Sequence, residues 1–95
     1  MTPLQSLIEY TKRFLAGRAG SYRRTFAKDN GDAQRVLKDL ASFCRAHDTV
    51  FRGTERETGV LIGRQEVWLR IMQHMKLTDD ELWALYGPRQ PMKGE

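Results

Sequence analysis

Residues 57 to 76, ETGVLIGRQEVWLRIMQHMK, form the longest run of helical apolar periodicity in the chain. At 100° per residue, the apolar positions fall within one arc of roughly 140°, the width of a core-facing side of a helix. The arc contains Val60, Leu61, Val67, Trp68, Ile71, Met72 and Met75. A helix of this length spans about 30 Å. We therefore expect residues 55–76 to form an enclosed central helix on which the other elements pack.

Arg64 falls in the middle of that apolar arc. A buried charge without a partner is costly, so we expect Arg64 to meet an internal acid, such as Asp39 or Asp48, or a helix C-terminal carbonyl. We expect Arg70 to pair with Glu66 one turn earlier. The functional alternative is that the planar guanidinium of Arg64 reaches a ligand or partner carboxylate.

Ile62 and Leu69 form a second, smaller apolar strip on the opposite side of the same helix, which Trp83 would extend. The strip is either part of the core or a surface for self-association or a partner, since aliphatic and aromatic clusters mark interface centres. Gly59 and Gly63 lie on one flank. Because glycine is unfavourable inside a helix, we expect a close backbone neighbour there.

Local signals divide the rest of the chain into further helices. Thr2, Pro3 and Gln5 start a helix that Gly17 and Gly20 should end. The predicted division is helix 1 at 2–16, a basic linker or arm at 17–31, helix 2 at 32–47, helix 3 at 55–76, helix 4 at 79–86 and a polar tail at 87–95. We expect Phe51, in the loop before helix 3, to plug the core. The predicted fold is all-α, a small bundle of three main helices plus a short C-terminal helix in a single domain, 1–95.

The size and composition of the chain limit its class. Ninety-five residues suit one domain, with a radius of gyration of roughly 12 Å if compact. No run of apolar residues is long enough for a membrane span, and the N-terminus lacks the layout of a secretory signal. With a single cysteine, Cys44, we expect a protein of a reducing compartment that does not act at membranes.

Chemical motifs are scarce. Cys44 and His47 share a helix face, but two ligands do not make a closed zinc site, so a core cysteine beside a histidine at the rim is favoured. No third group would orient a Cys/His catalytic pair. We expect no metal site, no cofactor and no catalytic residue, and an enzyme is the least expected class.

Positive charge is concentrated in the first third of the chain. Residues 1–28 hold six basic residues and one acid, whereas residues 29–95 hold ten and eleven. The candidate contact residues for nucleic acid or an acidic partner are Lys12, Arg13, Arg18, Tyr22, Arg23, Arg24 and Lys28. Such residues can neutralise phosphates and stack bases. A solvated arm or an acidic-protein dock is the alternative, with Tyr22 as the only aromatic side chain expected to be free, because Phe14 should face the core.

A spaced set of residues resembles a known family. The set consists of Phe26, Val36, Leu37, Leu40, Phe43, Cys44, Thr49, Phe51 and the run from Gly63 to Ile71, GRQEVWLRI. Over roughly residues 26–75 it is similar to a family of short proteins of tailed bacteriophages, typified by a small protein of a Bordetella podovirus. Members commonly carry two adjacent arginines after that glycine, where this chain has Arg64-Gln65. The resemblance implies a small, mainly helical phage product, often encoded among virion-assembly genes, and no enzyme activity.

Two functions follow as expectations. The first is a non-enzymatic virion or assembly-associated protein that docks onto larger phage proteins of the head, portal or tail, or is packaged with the genome. The second is an intracellular effector that binds nucleic acid or inhibits a host defence complex. Either would act in the host cytoplasm, and the first would also be incorporated in the virion. The candidate structural or interface residues are Arg64, Arg70, Ile62, Leu69, Trp68 and Trp83, and a homo-oligomer is left open.

Overall fold

A computed structural model describes residues 2–88, which form four α-helices and, within that range, no strand. The helices are α1 (Pro3–Thr25), α2 (Gly31–Phe43), α3 (Glu55–Lys76) and α4 (Asp79–Tyr86). The all-α class, with three long helices and a short fourth, is confirmed. Thr2 and Thr78 each make the capping box that their sequence signals predict. The polar tail beyond residue 88 lies outside the described residues.

Helix α1 continues through most of the segment that we expected to be a linker or arm. It passes Gly17 and Gly20 and ends at Thr25, so only residues 26–30 separate it from α2. Each glycine disfavours the helix by up to about 1 kcal/mol. Tertiary packing outweighs this cost, because Leu15 and Ala19 are buried where α1 meets α3 and α4. The prediction of an irregular arm at 17–31 is therefore wrong for residues 17–25.

Helix α2 ends four residues earlier than expected, at Phe43, because the chain reverses at Arg45. Arg45 has a φ of 53°, in the left-handed region. The amide of Ala46 donates to the carbonyl of Ala41, and the amide of Arg45 donates to that of Ser42. This is a Schellman motif, which stops the helix by satisfying its last carbonyls. An arginine in the position that glycine normally occupies gave no sequence signal for it.

Helix α3 is continuous, and both α1 and α2 pack on it, but it is not enclosed. Leu61, Ile71 and His74 are its buried residues, whereas Val60 and Val67, from the same predicted arc, are half exposed. The expectation of a largely enclosed helix is wrong. The physical reason is that α1 contacts α3 near its C-terminal end, through Arg18 and Tyr22 on His74, and α2 contacts it through Phe43 on Arg64, so that much of the helix surface has no neighbour.

The whole arrangement is thin and open. The radius of gyration is 17.1 Å and the principal extents are 51 × 41 × 15 Å, against a radius of roughly 12 Å for a compact chain of this length. A helix with its side chains is about 10 Å across, so the helices lie in little more than one layer. Phe51, expected in the core, is 78% exposed, and Leu4, Leu7 and Phe14 are exposed as well.

Candidate docking surfaces

His74 is the residue at which three helices meet, and it is fully buried. Arg18 of α1 donates from Nε to Nε2 of His74 at 2.9 Å. On the other side of the ring, Nδ1 lies 2.8 Å from the carbonyl oxygen of Arg70. Tyr22 stacks on the imidazole with 4.4 Å between ring centroids, and Tyr86 of α4 packs against it at 5.1 Å. These five residues are the His74 cluster.

The hydrogen bonds of the cluster define the protonation pattern of the imidazole. Nε2 accepts from Arg18, so it carries no proton, and Nδ1 carries the proton that is donated to the carbonyl of Arg70. Cations cover the Tyr86 ring as well, since the guanidinium carbons of Arg18 and Arg70 lie 5.2 and 5.1 Å from its centroid. The cluster therefore fixes the position of α1 relative to α3 and α4. No sequence pattern indicates the cluster, because its members are far apart in the chain.

The basic residues singled out in the sequence divide into two groups. In the first group, Lys12 lies over the ring of Trp83 at 5.3 Å, Arg23 donates to the carbonyl of Leu77 at 2.6 Å, and Arg18 and Tyr22 contact His74. This first group makes contacts within the chain. The second group is exposed and consists of Arg13, Arg24 and Lys28, of which Arg24 makes a local contact, donating to Oγ of Ser21 at 3.4 Å. Tyr22, expected to be the one free aromatic residue, is instead stacked and half buried, because its ring fills the space beside His74.

Arg64 and Arg70 do not take the partners that we expected. The guanidinium carbon of Arg64 lies 4.3 Å from the centroid of the Phe43 ring, so an aromatic face on α2, rather than Asp39 or Asp48, is its contact. Arg64 is half buried, which removes the strict need for an internal acid. The guanidinium of Arg70 lies over Tyr86 rather than reaching back along α3 to Glu66.

One exposed apolar surface lies on the N-terminal half of α1. No residue before Leu15 is buried in this helix. Leu7, Tyr10 and Phe14 fall within roughly 60° of one another around the helix axis, and their exposed fractions are 58%, 64% and 55%. Leu4 extends the surface by one turn. We call these four residues the α1 strip. Arg13 lies on one flank of it, and Arg18, whose guanidinium carbon is 5.7 Å from the centroid of the Phe14 ring, follows it one turn after Phe14.

A second apolar surface is a groove on α3, about 330 Å³ in volume. We call it the α3 groove, and it is lined by Ala46, Ile62, Gln65, Glu66, Trp68, Leu69 and Met72. Ile62 and Leu69, exposed by 42% and 55%, form its raised edge, and Trp68 is half buried in it. Three of the predicted interface residues are therefore brought together. Trp83 is not among the lining residues, since its ring is covered by Lys12 on α1.

The loop beside the α3 groove is held by one side chain. Gln65 Nε2 donates to the carbonyl oxygens of Arg45 and Asp48, at 2.8 and 3.0 Å. These bonds fix the turn that ends α2 against α3, and they keep Ala46 in the groove wall. Gln65, the residue after Arg64, therefore has a structural contact.

Gly59 and Gly63 have no close neighbour within the chain. A Cβ built on either residue would meet nothing within 4 Å. The expected close approach of another backbone to this flank of α3 is thus wrong for the described part of the chain. The open arrangement of the helices explains it, because α1 does not extend over the N-terminal half of α3.

The described residues contain no group of three or more His, Cys, Asp or Glu side chains placed to hold a metal ion. Cys44 is a buried free cysteine and His47 is exposed, as the sequence predicts for this pair. Between residues 2 and 88, no helix is both long and apolar enough to cross a membrane.

Comparison with known proteins adds one match. A family model described as Bbp19-like phage protein matches residues 22–86. No curated protein and no solved structure matched the chain. The matched range begins inside α1 and ends at the last residue of α4, so it includes the α3 groove and leaves the α1 strip outside.

Proposed function

This chain belongs to the Bbp19-like phage protein family, and from that premise we propose that it is a non-enzymatic component of the phage particle or of its assembly. It docks onto a larger phage protein of the head, portal or tail by inserting the α1 strip into a groove on that protein. It is made in the host cytoplasm and is carried into the particle by this contact.

The exposure of the α1 strip is the observation that carries the proposal. Leu4, Leu7, Tyr10 and Phe14 stand in water on a helix whose other end is fixed by Arg18 and His74. Amphipathic helices that lie in grooves of partner proteins present apolar anchors at this spacing. Because the helix is already formed and fixed, little conformational entropy would be lost on docking.

Charge defines the chemistry of the partner. Residues 1–28 have a net charge of +5, and exposed Arg13 lies beside the α1 strip. A groove with acidic residues on its rim would complement this surface and would favour fast association. The proposed partner surface is therefore an apolar groove with a negatively charged rim.

Quantitative proteomics of purified particles tests the proposal. We expect the wild-type protein at a fixed stoichiometry, and we expect Leu7→Glu and Phe14→Glu to be lost from particles while the free proteins stay helical. Leu85→Glu is the matched control, since Leu85 is half exposed but lies on α4 rather than in the strip, and it should enter particles normally. Absence of the wild-type protein from particles, alongside abundant free protein in infected cells, would refute the proposal.

Exposed Tyr10 and Phe14 favour one second candidate, the sequence-tolerant binding of single-stranded nucleic acid. Two exposed aromatic rings on the same helix as exposed Arg13 are a combination that can stack bases and neutralise phosphates. Salt-titrated binding to single strands separates the two functions. Affinity that falls steeply as salt rises, and falls again in Arg13→Glu, would support the second candidate. If single strands did not bind even at low salt, the second candidate function would be excluded.

A further inference from the structure

We infer that the α3 groove is the docking site of a second copy of this chain, so that the protein is a homodimer built on α3. This inference concerns a surface distinct from the α1 strip and does not depend on the proposed function.

The exposed area of the chain is the first argument. One chain exposes 7592 Å², whereas a compact monomer of 11.0 kDa would expose about 5,600 Å². The excess is roughly 2,000 Å². A standard interface covers about 800 Å² on each partner, and permanent dimers cover more. An interface of standard size would therefore cover less than half of this excess area on each chain.

The thickness of the chain is the second argument. Domains normally bury their apolar faces between two layers of secondary structure, and an extent of 15 Å along the thin axis leaves room for little more than one layer of helices. A second copy packed on the α3 groove would cover an apolar surface that this thin arrangement leaves open.

The shape of the groove suits a copy of itself. A two-fold interface requires one patch that carries both a projection and a recess. Ile62 and Leu69 are 42% and 55% exposed, whereas Ala46, Trp68 and Met72 beside them are half buried. Ile62, Leu69 and Met72 follow the spacing of a helix–helix seam. Two antiparallel α3 helices whose crossing point lies at the level of residue 67 along the axis would place Ile62 of one copy against Met72 of the other.

Charge favours self-association at this surface over the rest of the chain. Glu66 is the only formally charged residue among those that line the groove, and residues 29–95 have a net charge of −1. Ile62 and Leu69 lie roughly 120–140° around α3 from His74, which contacts α1. A dimer on the groove would thus keep the two strongly basic α1 helices on its outer sides, where their repulsion is weakest.

Sedimentation equilibrium over the micromolar range tests the inference on the full chain. We expect the wild type to have twice the mass of one chain. Leu69→Glu and Ile62→Glu should raise the dimer dissociation constant by about 100-fold or more, because each places a carboxylate in the apolar interface. Helical circular dichroism should not change, since both side chains are largely exposed in one chain.

Val67→Glu is the matched control. Val67 is on the same helix, is 53% exposed and lies on the side away from the groove, so this variant should stay dimeric. Leu7→Glu, on the α1 strip, should also stay dimeric. A monomeric wild type would overturn the inference, as would a dimer that Leu69→Glu leaves intact, or one that Val67→Glu or Leu7→Glu disrupts equally. None of these results bears on particle incorporation, so the two proposals fail separately.

Discussion

Arg18 and His74, 56 residues apart in the chain, share a hydrogen bond in which the guanidinium Nε donates to the imidazole Nε2 over 2.9 Å. This bond joins α1 to α3, and the His74 side chain that accepts it is fully buried. It is a long-range polar contact of α1, as is the bond from Arg23 to the carbonyl of Leu77, and the first prediction concerns it.

Replacing Arg18 by Ala should lower the free energy of unfolding by about 1–3 kcal/mol, because Nε2 of His74 would lose its donor while the imidazole stays buried. His74→Ala should cost about 2–4 kcal/mol, since it also empties the space between Tyr22 and Tyr86. Urea denaturation followed by circular dichroism measures both. Arg13→Ala, at an exposed position on the same helix, is the control and should change stability by less than about 0.5 kcal/mol. An Arg18→Ala variant as stable as that control would contradict the prediction.

Gly17→Ala should raise the free energy of unfolding by about 0.5–1 kcal/mol, because the residue lies inside α1 and an added Cβ would meet nothing within 4 Å. Gly87→Ala should act in the opposite direction. There, a Cβ would lie 2.5 Å from the carbonyl oxygen of Trp83 and would displace the end of α4. The difference in melting temperature between the two variants checks this pair, and a Gly87→Ala protein that melts above the wild type would refute the second half.

Gln65→Ala should destabilise the protein by about 1–3 kcal/mol, because two backbone carbonyls in the turn after α2 would lose their donor. Amide hydrogen exchange should show the effect locally, with faster exchange at the amides of Arg45 and Ala46 than in the wild type. Glu66→Ala, the adjacent exposed position, should leave those amides protected. Equal exchange rates in the two variants would show that Gln65 does not hold the turn.

Leu82→Ala should cost about 2–5 kcal/mol, since Leu82 is fully buried where α4 packs on α1. Leu85→Ala removes the same atoms from the same helix at a half-exposed position and should cost less than about 1 kcal/mol. Chemical denaturation of the two variants gives the comparison. Similar losses in both would mean that α4 does not dock through Leu82.

The elements of this fold could be predicted where local chemistry decides them. The capping box of Thr78 and the stop at Gly87 defined α4 to the residue, and the periodicity of residues 55–76 defined α3. The end of α1 could not be predicted, because Gly17 and Gly20 argued locally for a stop, and only the burial of Leu15 and Ala19 against later helices outweighed them. Intrinsic helix propensity is a weak guide to where a helix ends when tertiary packing opposes it.

The surfaces were harder to predict than the helices. Apolar periodicity marks a side of a helix that is fit to be buried, but it does not say whether this chain or a partner buries it. Ile62 and Leu69 were left open for that reason, and both are exposed. Phe14, expected to face the core, is exposed, and Tyr22, expected to be free, is stacked on His74. The stacking could not be predicted, because His74 is far from Tyr22 along the chain.

Helix α1 is held by its neighbours mainly in its C-terminal part. The held part runs from Leu15 to Tyr22, where Leu15 and Ala19 are buried, and Leu4 lies about 16 Å beyond it at 1.5 Å per residue. A tilt of about 10° in the held part would move Leu4 by roughly 3 Å, enough to take a side chain out of a matching recess. A substitution in α3 or α4, where α1 packs on them, would therefore displace Leu4 without contacting it.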